Sequence, residues 1–261
     1  MSKIEEKILD NIPVKEVYSD LAKPTVKSTG NLINIIPRTI NAVLEPLHKW
    51  ILTKEYNIEE TKKLLEIKLS KVDPENIESP EPYVAVPAFK AISYAMDNTE
   101  LRNMYANLLA SSMNKMMKEN VHPAYVEIIK QLSPDEAKIL NYIYKVEVVP
   151  LITLRAKFKD DQGRIDYKKN ISLIEEQIIL ERPNMIYTSL ENLDRLKLIE
   201  IVKDARLVDK SRYNALHNSQ VVKEIKKNHI NNLEKWDEAE HFLEITELGK
   251  SFCSICVDKQ W

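Results

Sequence analysis

PYVAVPAFKAISYAMDNTELRNMYANLLASSMNKMMKENVHPAYVEIIKQLSPDEAKILNYI, Pro82–Ile143, is the stretch whose reading decides the fold. It carries three successive helical segments. In the first, Leu101, Met104, Tyr105, Leu108, Ser112 and Met116 recur at the spacing of one buried helix face. Asp97 followed by Glu100 reads as an acidic capping box at its start. The second begins at His122-Pro123 and buries Val126, Ile129 and Leu132; proline at a first helical position forfeits no intrahelical bond, and the His122 side chain is placed to cap. The third opens on Ser133-Pro134-Asp135-Glu136, a cap, a proline and a glutamate that completes a capping box, and turns Ala137, Leu140, Ile143 and Tyr144 inward. The Met and Tyr positions of this stretch read as core, not as a cofactor box.

Upstream, three patterns stand out. Residues 1–23 show a helical stripe of Ile4, Ile8 and Ile12, interrupted by Pro13 and resumed by Val14, Val17, Tyr18 and Leu21. Between Ser28 and Leu47 the only formal charges are Arg38 and Glu45. Interspersed Asn and Thr keep this from being a membrane span, leaving two readings for residues 28–52: a kinked helix or hairpin packed on the protein, or a surface that touches a membrane or a partner. Residues 56–72 read as a charged amphipathic helix with Ile58, Leu65, Leu69 and Val72 on one side. The four prolines of DPENIESPEPYVAVP, 73–87, predict an extended connector, with helix resuming near Ala88.

Downstream the pattern changes. VEVVPLITL is β-branched and reads as a short strand or a turn of helix. RAKFKDDQGRIDYKKN, 155–170, reads as an exposed loop, and ISLIEEQIIL is a short helix or strand. Ile186, Leu190, Leu193 and Leu196 predict a helix that runs into a strand at Leu198–Val202. HFLEIT predicts a further strand and ELGKSFCSICV a closing helix. With the helix from Pro134, this is the element order of a winged helix. The wing is replaced by an insertion, 203–240, with a helix of its own bearing Val222, Ile225, His229, Leu233 and Trp236 on one side. The fold class that follows is mainly α: a helical domain over 1–132, with its connector near 73–87, then a winged-helix-like α+β domain over 133–261.

Composition excludes several chemistries. Of 261 residues only Gly30, Gly163 and Gly249 are glycine, so neither a P-loop nor a dinucleotide fingerprint can be built. A net charge of −2 offers no global attraction to nucleic acid. Cys253 and Cys256 form a lone C-x-x-C without the second ligand pair that structural zinc needs, and read as small buried residues. No nucleophile–base arrangement, zinc-protease motif or carboxylate pair in a cleft is evident, so no catalytic residue, metal, cofactor or small-molecule substrate is expected. The polar amphipathic start, without a signal peptide, points to the cytoplasm.

Local charge is more informative. Lys203–His229 holds seven Lys or Arg against three Asp or Glu, and residues 153–169 hold six against three. If both lie on one side they form a basic face for phosphates or a partner. The candidate contact residues are Asn192 and Arg195 on the recognition-helix position and Lys203, Arg206, Lys210, Arg212, Lys223, Lys226 and Lys227 in the insertion. Glu191 and Asp194 balance Arg195 and Lys197, and Asn192 is the one good base reader there.

LRNMYANLLASSMNK, VHPAYVEIIKQLSPDEAKIL, SLENLDRLKLIEI and ITELGKSFCSICV together resemble the abortive-infection alpha family of bacterial proteins, from about Pro24 to Val257. The phrase from His122 to Leu140 is the most specific part; the LGKSF phrase is common among winged-helix proteins. The resemblance implies a role in bacterial defence against phage and no particular chemistry. The insertion between Val202 and His241 is a departure from the family pattern. Three functions therefore remain open: defence through protein–protein contact or self-association, nucleic-acid-binding regulation, and peripheral membrane action through residues 28–52.

Overall fold

A computed structural model describes residues 35–45, 58–159, 162–227, 230 and 233–257. The expectations for residues 1–23, for His229, and for all of 28–52 except 35–45 lie outside the described residues.

Among the described residues six helices come first: α1 (Ile35–Leu44), α2 (Ile58–Leu69), α3 (Pro82–Ile92), α4 (Thr99–Met113), α5 (Ala124–Lys130) and α6 (Pro134–Val146). Then follow β1 (Val148–Phe158), β2 (Arg164–Ile171), the single turn α7 (Ile174–Gln177), α8 (Ile186–Arg195) and β3 (Ile199–Val202). Short helices α9 (Asn214–His217) and α10 (Gln220–Lys226) precede β4 (Leu233–Ile245) and the closing α11 (Glu247–Cys256). The strands form one antiparallel sheet in the order β2-β1-β4-β3. The architecture is thus α+β, with a larger sheet than a mainly α chain would carry.

Local chemistry explains most boundaries. The Ser133 capping box is complete: the Glu136 N–H donates to Ser133 Oγ at 3.2 Å and the Ser133 N–H to Glu136 Oε2 at 2.6 Å. His122 caps α5 by accepting from the Ala124 N–H on Nδ1 at 3.1 Å. The cap of α4 is Asn98, not Asp97: Asn98 Oδ1 accepts from the Leu101 N–H at 2.9 Å. The turn that binds the Asn98 N–H to the Ala95 carbonyl consumes Asp97 and shifts the start by one residue.

Three other expectations are corrected. Helix resumes at Pro82, six residues before Ala88, because proline at the first position has no N–H to lose. Residues 155–170 are not a loop but most of a hairpin. Two of its cations are matched across strands, Arg155 to Asp166 at 2.9 Å and Lys157 to Glu234 at 2.9 Å, so a charged segment is stable as strand. Leu233 and Trp236 lie in β4, not on the inserted helix, which ends at Lys226. β4 pairs with β1 from Phe158↔Leu233 to Val148↔Glu244, and those ladder bonds outweigh a helical continuation.

The sheet has two covered faces, as the period of two requires. Val149, Leu151, Leu243 and Ile245 join the main core, which runs from Ile40 through Leu108 and Leu140 to Phe252 and crosses position 132 without a break. Ile152, Leu154 and Ile171 face the other way, into a small second core. The closing helix is pinned to the N-terminal half: Asn107 Nδ2 donates to the Cys256 carbonyl at 2.9 Å, and Lys68 Nζ to Asn107 Oδ1 at 2.5 Å. These bonds satisfy a helix-end carbonyl that has no intrahelical partner. The LGKSF phrase has a steric reason: a Cβ on Gly249 would lie 2.0 Å from the Leu198 carbonyl oxygen, so only glycine lets α11 approach β3 this closely.

Candidate functional site: the insertion between β3 and β4

The insertion is shorter than 203–240, because β4 begins at Leu233. Its described part, 203–227, folds back on the second face of the sheet. Tyr213, Leu216 and Val222 pack on Ile152, Leu154 and Ile171, and all six are fully buried. Tyr213 is the anchor. Its hydroxyl donates to the His241 carbonyl at 2.9 Å and accepts from the Leu207 N–H at 3.0 Å, so the buried phenol is satisfied on both counts. Ser219 caps α10 by accepting from the Val222 N–H at 3.3 Å. Asp209 caps the turn at Lys210–Tyr213, and bonds from Ser211 hold its carboxyl below the usual range.

An ionic cluster closes the rim. His217 on α9 sits between two carboxylates of β4: Nδ1 meets Glu238, and Nε2 lies 3.0 Å from Glu240 Oε1. Lys226 of α10 pairs with the same Glu238, and Arg206 reaches Glu240 at 3.7 Å. Burial pulls the imidazole pKa down, but bonds to Glu238 and Glu240 together more than offset this and leave it above its ordinary 6.5. Glu238 is the mirror case: burial raises it, while Lys226 and His217 bring it below its ordinary 4.5. The arrangement is a latch between insertion and sheet. It had a legible signal, since Trp236, Glu238 and Glu240 alternate along WDEAEHFLEIT as one strand face does; assigning Trp236 to a helix hid it.

The nine candidate contact residues divide by what engages them. Asn192 and Arg195 belong to α8, which packs into the main core. Asn192 Nδ2 donates to the Gln131 carbonyl and to Glu136 Oε1, both at 3.0 Å, and Arg195 Nη2 to Asn192 Oδ1 at 2.7 Å and Gln131 Oε1 at 3.0 Å. Both side chains therefore clamp α8 to the start of α6. Arg206 and Lys226 are in the latch, and Arg212 Nη2 donates to the Val148 carbonyl at 2.8 Å. Lys203, Lys210, Lys223 and Lys227 are exposed and, among the described residues, have no ion-pair partner. Four of the six cations of the second basic run are engaged internally: besides the Arg155 and Lys157 pairs, Lys169 lies 3.8 Å from Asp166, and Lys168 stands 3.5 Å over the Tyr187 ring, while Lys159 and Arg164 are exposed.

Cys253 and Cys256 are buried in the main core, where burial pushes the Cys256 thiol well up. Among the described residues no group of three His, Cys, Asp or Glu is arranged to hold a metal ion, and no helix is long and apolar enough to cross a membrane.

The insertion, the clamp and the closing helix all fall within residues 53–256, which match the family model described as abortive infection alpha. The chain belongs to the abortive infection alpha family. No curated protein matches this family member. A solved structure of an uncharacterized protein from the hydrocarbon-degrading marine bacterium Alcanivorax borkumensis SK2 is similar at 15% identity, covering 55% of this chain and 96% of that chain with a TM-score of 0.35. A likeness at that level bears on neither fold nor function.

Proposed function

We propose that this abortive infection alpha protein acts in phage defence, in the cytoplasm, by binding a protein partner or a second copy of itself rather than by catalysis. The observation that carries the reading is the insertion. Its inner side is committed to the sheet through a core of its own, while Val208 on its outer side is 100% exposed. A fully exposed aliphatic side chain on an anchored segment that also carries four exposed cations, without an ion-pair partner among the described residues, leaves a mixed apolar and basic surface for a partner to cover. In this reading the C-terminal half is a winged helix, supported by the order α6, β1, α8, β3, β4 and by the adjacency of β1, β4 and β3. Asn192 is engaged inward with Gln131 and Glu136, which favours protein contact over sequence-specific DNA binding.

Phage plating on expressing cells tests it. Val208→Glu with Lys223→Glu and Lys227→Glu is expected to abolish protection at unchanged expression and melting temperature. Full protection by that variant contradicts the proposal.

A second reading, contact with nucleic-acid phosphates, is favoured by Lys203, Lys210, Lys223 and Lys227, which are exposed and have no ion-pair partner among the described residues. It predicts binding that weakens steeply with salt and disappears when the four become Glu; salt-independent binding refutes it. The membrane reading of 28–52 is weakened where that segment is described, since Ile40 and Leu44 of α1 are spent on the core.

A further inference from the structure

β2 is the outer strand of the sheet, and among the described residues no strand pairs with its far edge. Arg164, Ile165, Asp166 and Tyr167 are all exposed. The ladder to β1 fixes which backbone groups face outward. The Phe158 N–H donates to the Gly163 carbonyl at 3.0 Å, and Lys157, Ala156 and Arg155 then oppose Arg164, Ile165 and Asp166. Antiparallel pairs alternate between those that exchange backbone bonds and those that do not. Ile165 therefore spends its N–H and C=O on β1, while Arg164 and Asp166 turn theirs outward. An irregularity between Leu154 and Arg155 ends the regular edge past Asp166.

The side chains sort by the same alternation. Arg164 and Asp166 stand on one face of the strand and Ile165 on the other. Ile165 is 50% exposed and Tyr167 40%, and the Tyr167 ring meets Trp236 edge-on at 5.2 Å, so apolar surface reaches the edge. Arg164 has no ion-pair partner among the described residues. Asp166 gives Oδ1 to Arg155 at 2.9 Å, but Oδ2 has only Lys169 at 3.8 Å, beyond hydrogen-bond reach. An exposed cation and a carboxylate oxygen short of a donor thus lie two residues apart on one edge. Charged side chains ordinarily keep an edge strand from pairing. The order of the charges here favours one occupant, a copy of the same strand.

We propose that β2 pairs antiparallel with β2 of a second copy of this chain, about a two-fold axis at Ile165. That register sets Arg164 of each copy opposite Asp166 of the other. Both positions have outward-facing backbone groups, so each pair exchanges main-chain bonds while Arg164 supplies the donor that Asp166 Oδ2 lacks. The two Ile165 side chains meet at the axis on the opposite face. Neighbouring registers lose the match: an axis at Arg164 sets cation against cation, and an axis at Asp166 sets carboxylate against carboxylate. This inference does not rest on the role given to the insertion.

Sedimentation velocity of the full chain over about 1–200 μM tests it. A monomer–dimer equilibrium is expected within that range, because so short an edge falls below the about 1,200–2,000 Å² that stable complexes bury. Arg164→Asp and Asp166→Arg should each weaken the dimer by at least about 10-fold, since each sets like charges opposite one another. An equimolar mixture of the two variants should regain the dimer, because every opposed pair is again of opposite sign. Ile165→Cys should give a disulfide-linked dimer under diamide, as antiparallel pairs of this kind hold their Cα atoms about 4.5 Å apart. Ile179→Cys, at a position 90% exposed, is the control for chance collision and should not. A chain that stays monomeric throughout, a dimer indifferent to both reversals, or a mixture no more associated than its parts overturns the proposal. If Asp166→Arg fails to fold for want of the Arg155 pair, the cross-link carries the test: adding Arg164→Asp to Ile165→Cys should abolish it, and a cross-link that persists overturns the proposal.

Discussion

The two faces of the sheet are covered by very different means. On one, β1, β3 and β4 share a core that extends from Ile40 to Cys256, sealed by a glycine contact and by side-chain bonds onto helix ends. On the other, a segment of some two dozen residues, 203–227, is held by a core of six fully buried side chains, Tyr213 among them, and by a histidine between two glutamates. The first is the apolar economy of a structural core, where loss of one contact is felt throughout. The second has few apolar contacts and a charged rim, the makeup of a unit that opens by itself while the rest stays folded. The contrast is why function is assigned to the second face and stability to the first.

Three perturbations break or sharpen this contrast. The largest effect belongs to Phe252→Ala. Phe252 is fully buried and meets Tyr125 edge-on at 5.4 Å, so about 3–5 kcal/mol of global stability should be lost, read as a shift of the whole denaturant transition. Leu216→Ala comes next, at about 2–4 kcal/mol, but its loss should be local. Hydrogen exchange should rise across 203–227 while β1 and β4 keep their protection. Exchange rising equally over the sheet would dissolve the distinction between the two faces.

His217→Gln is the smallest, at about 1 kcal/mol or less, and its signature is pH dependence. The imidazole pKa is raised on folding, so its contribution is full below the ordinary 6.5 and is lost as pH rises through the folded value, on the alkaline side of 6.5. Glu238 is lowered, so its contribution is full above 4.5 and is lost as pH falls through its folded value. The protection of 203–227 in the parent over His217→Gln should therefore be greatest between about 4.5 and 6.5 and shrink on either side. A difference independent of pH would remove the latch from the account.

Legibility in the sequence followed the range of the interactions. The helices of Pro82–Ile143, the Ser133 box, the His122 cap and the burial of Cys253 and Cys256 depend on neighbours within a turn or on simple periodicity, and all were readable. The hairpin over 155–170 was not, because the charges that suggest a loop are answered by Asp166 across the hairpin and by Glu234, far along the chain. β4 was half read: HFLEIT alternates in the core, whereas Leu233 and Trp236 fall at a spacing that also suits a helix. The nine contact candidates were chosen by residue type. Which are free and which are spent depends on partners such as Gln131, Glu238 and Val148, which local pattern does not reveal.

The central claim, that the outer face of the insertion meets a protein during infection, is tested most directly by a photo-cross-linking residue placed at Val208 and irradiated in infected and uninfected cells. The account predicts a discrete protein adduct, either with a second copy of this chain or with one partner, that is absent when the same residue is placed at Leu248 on α11. No adduct in either condition, or adducts to nucleic acid alone, would contradict it.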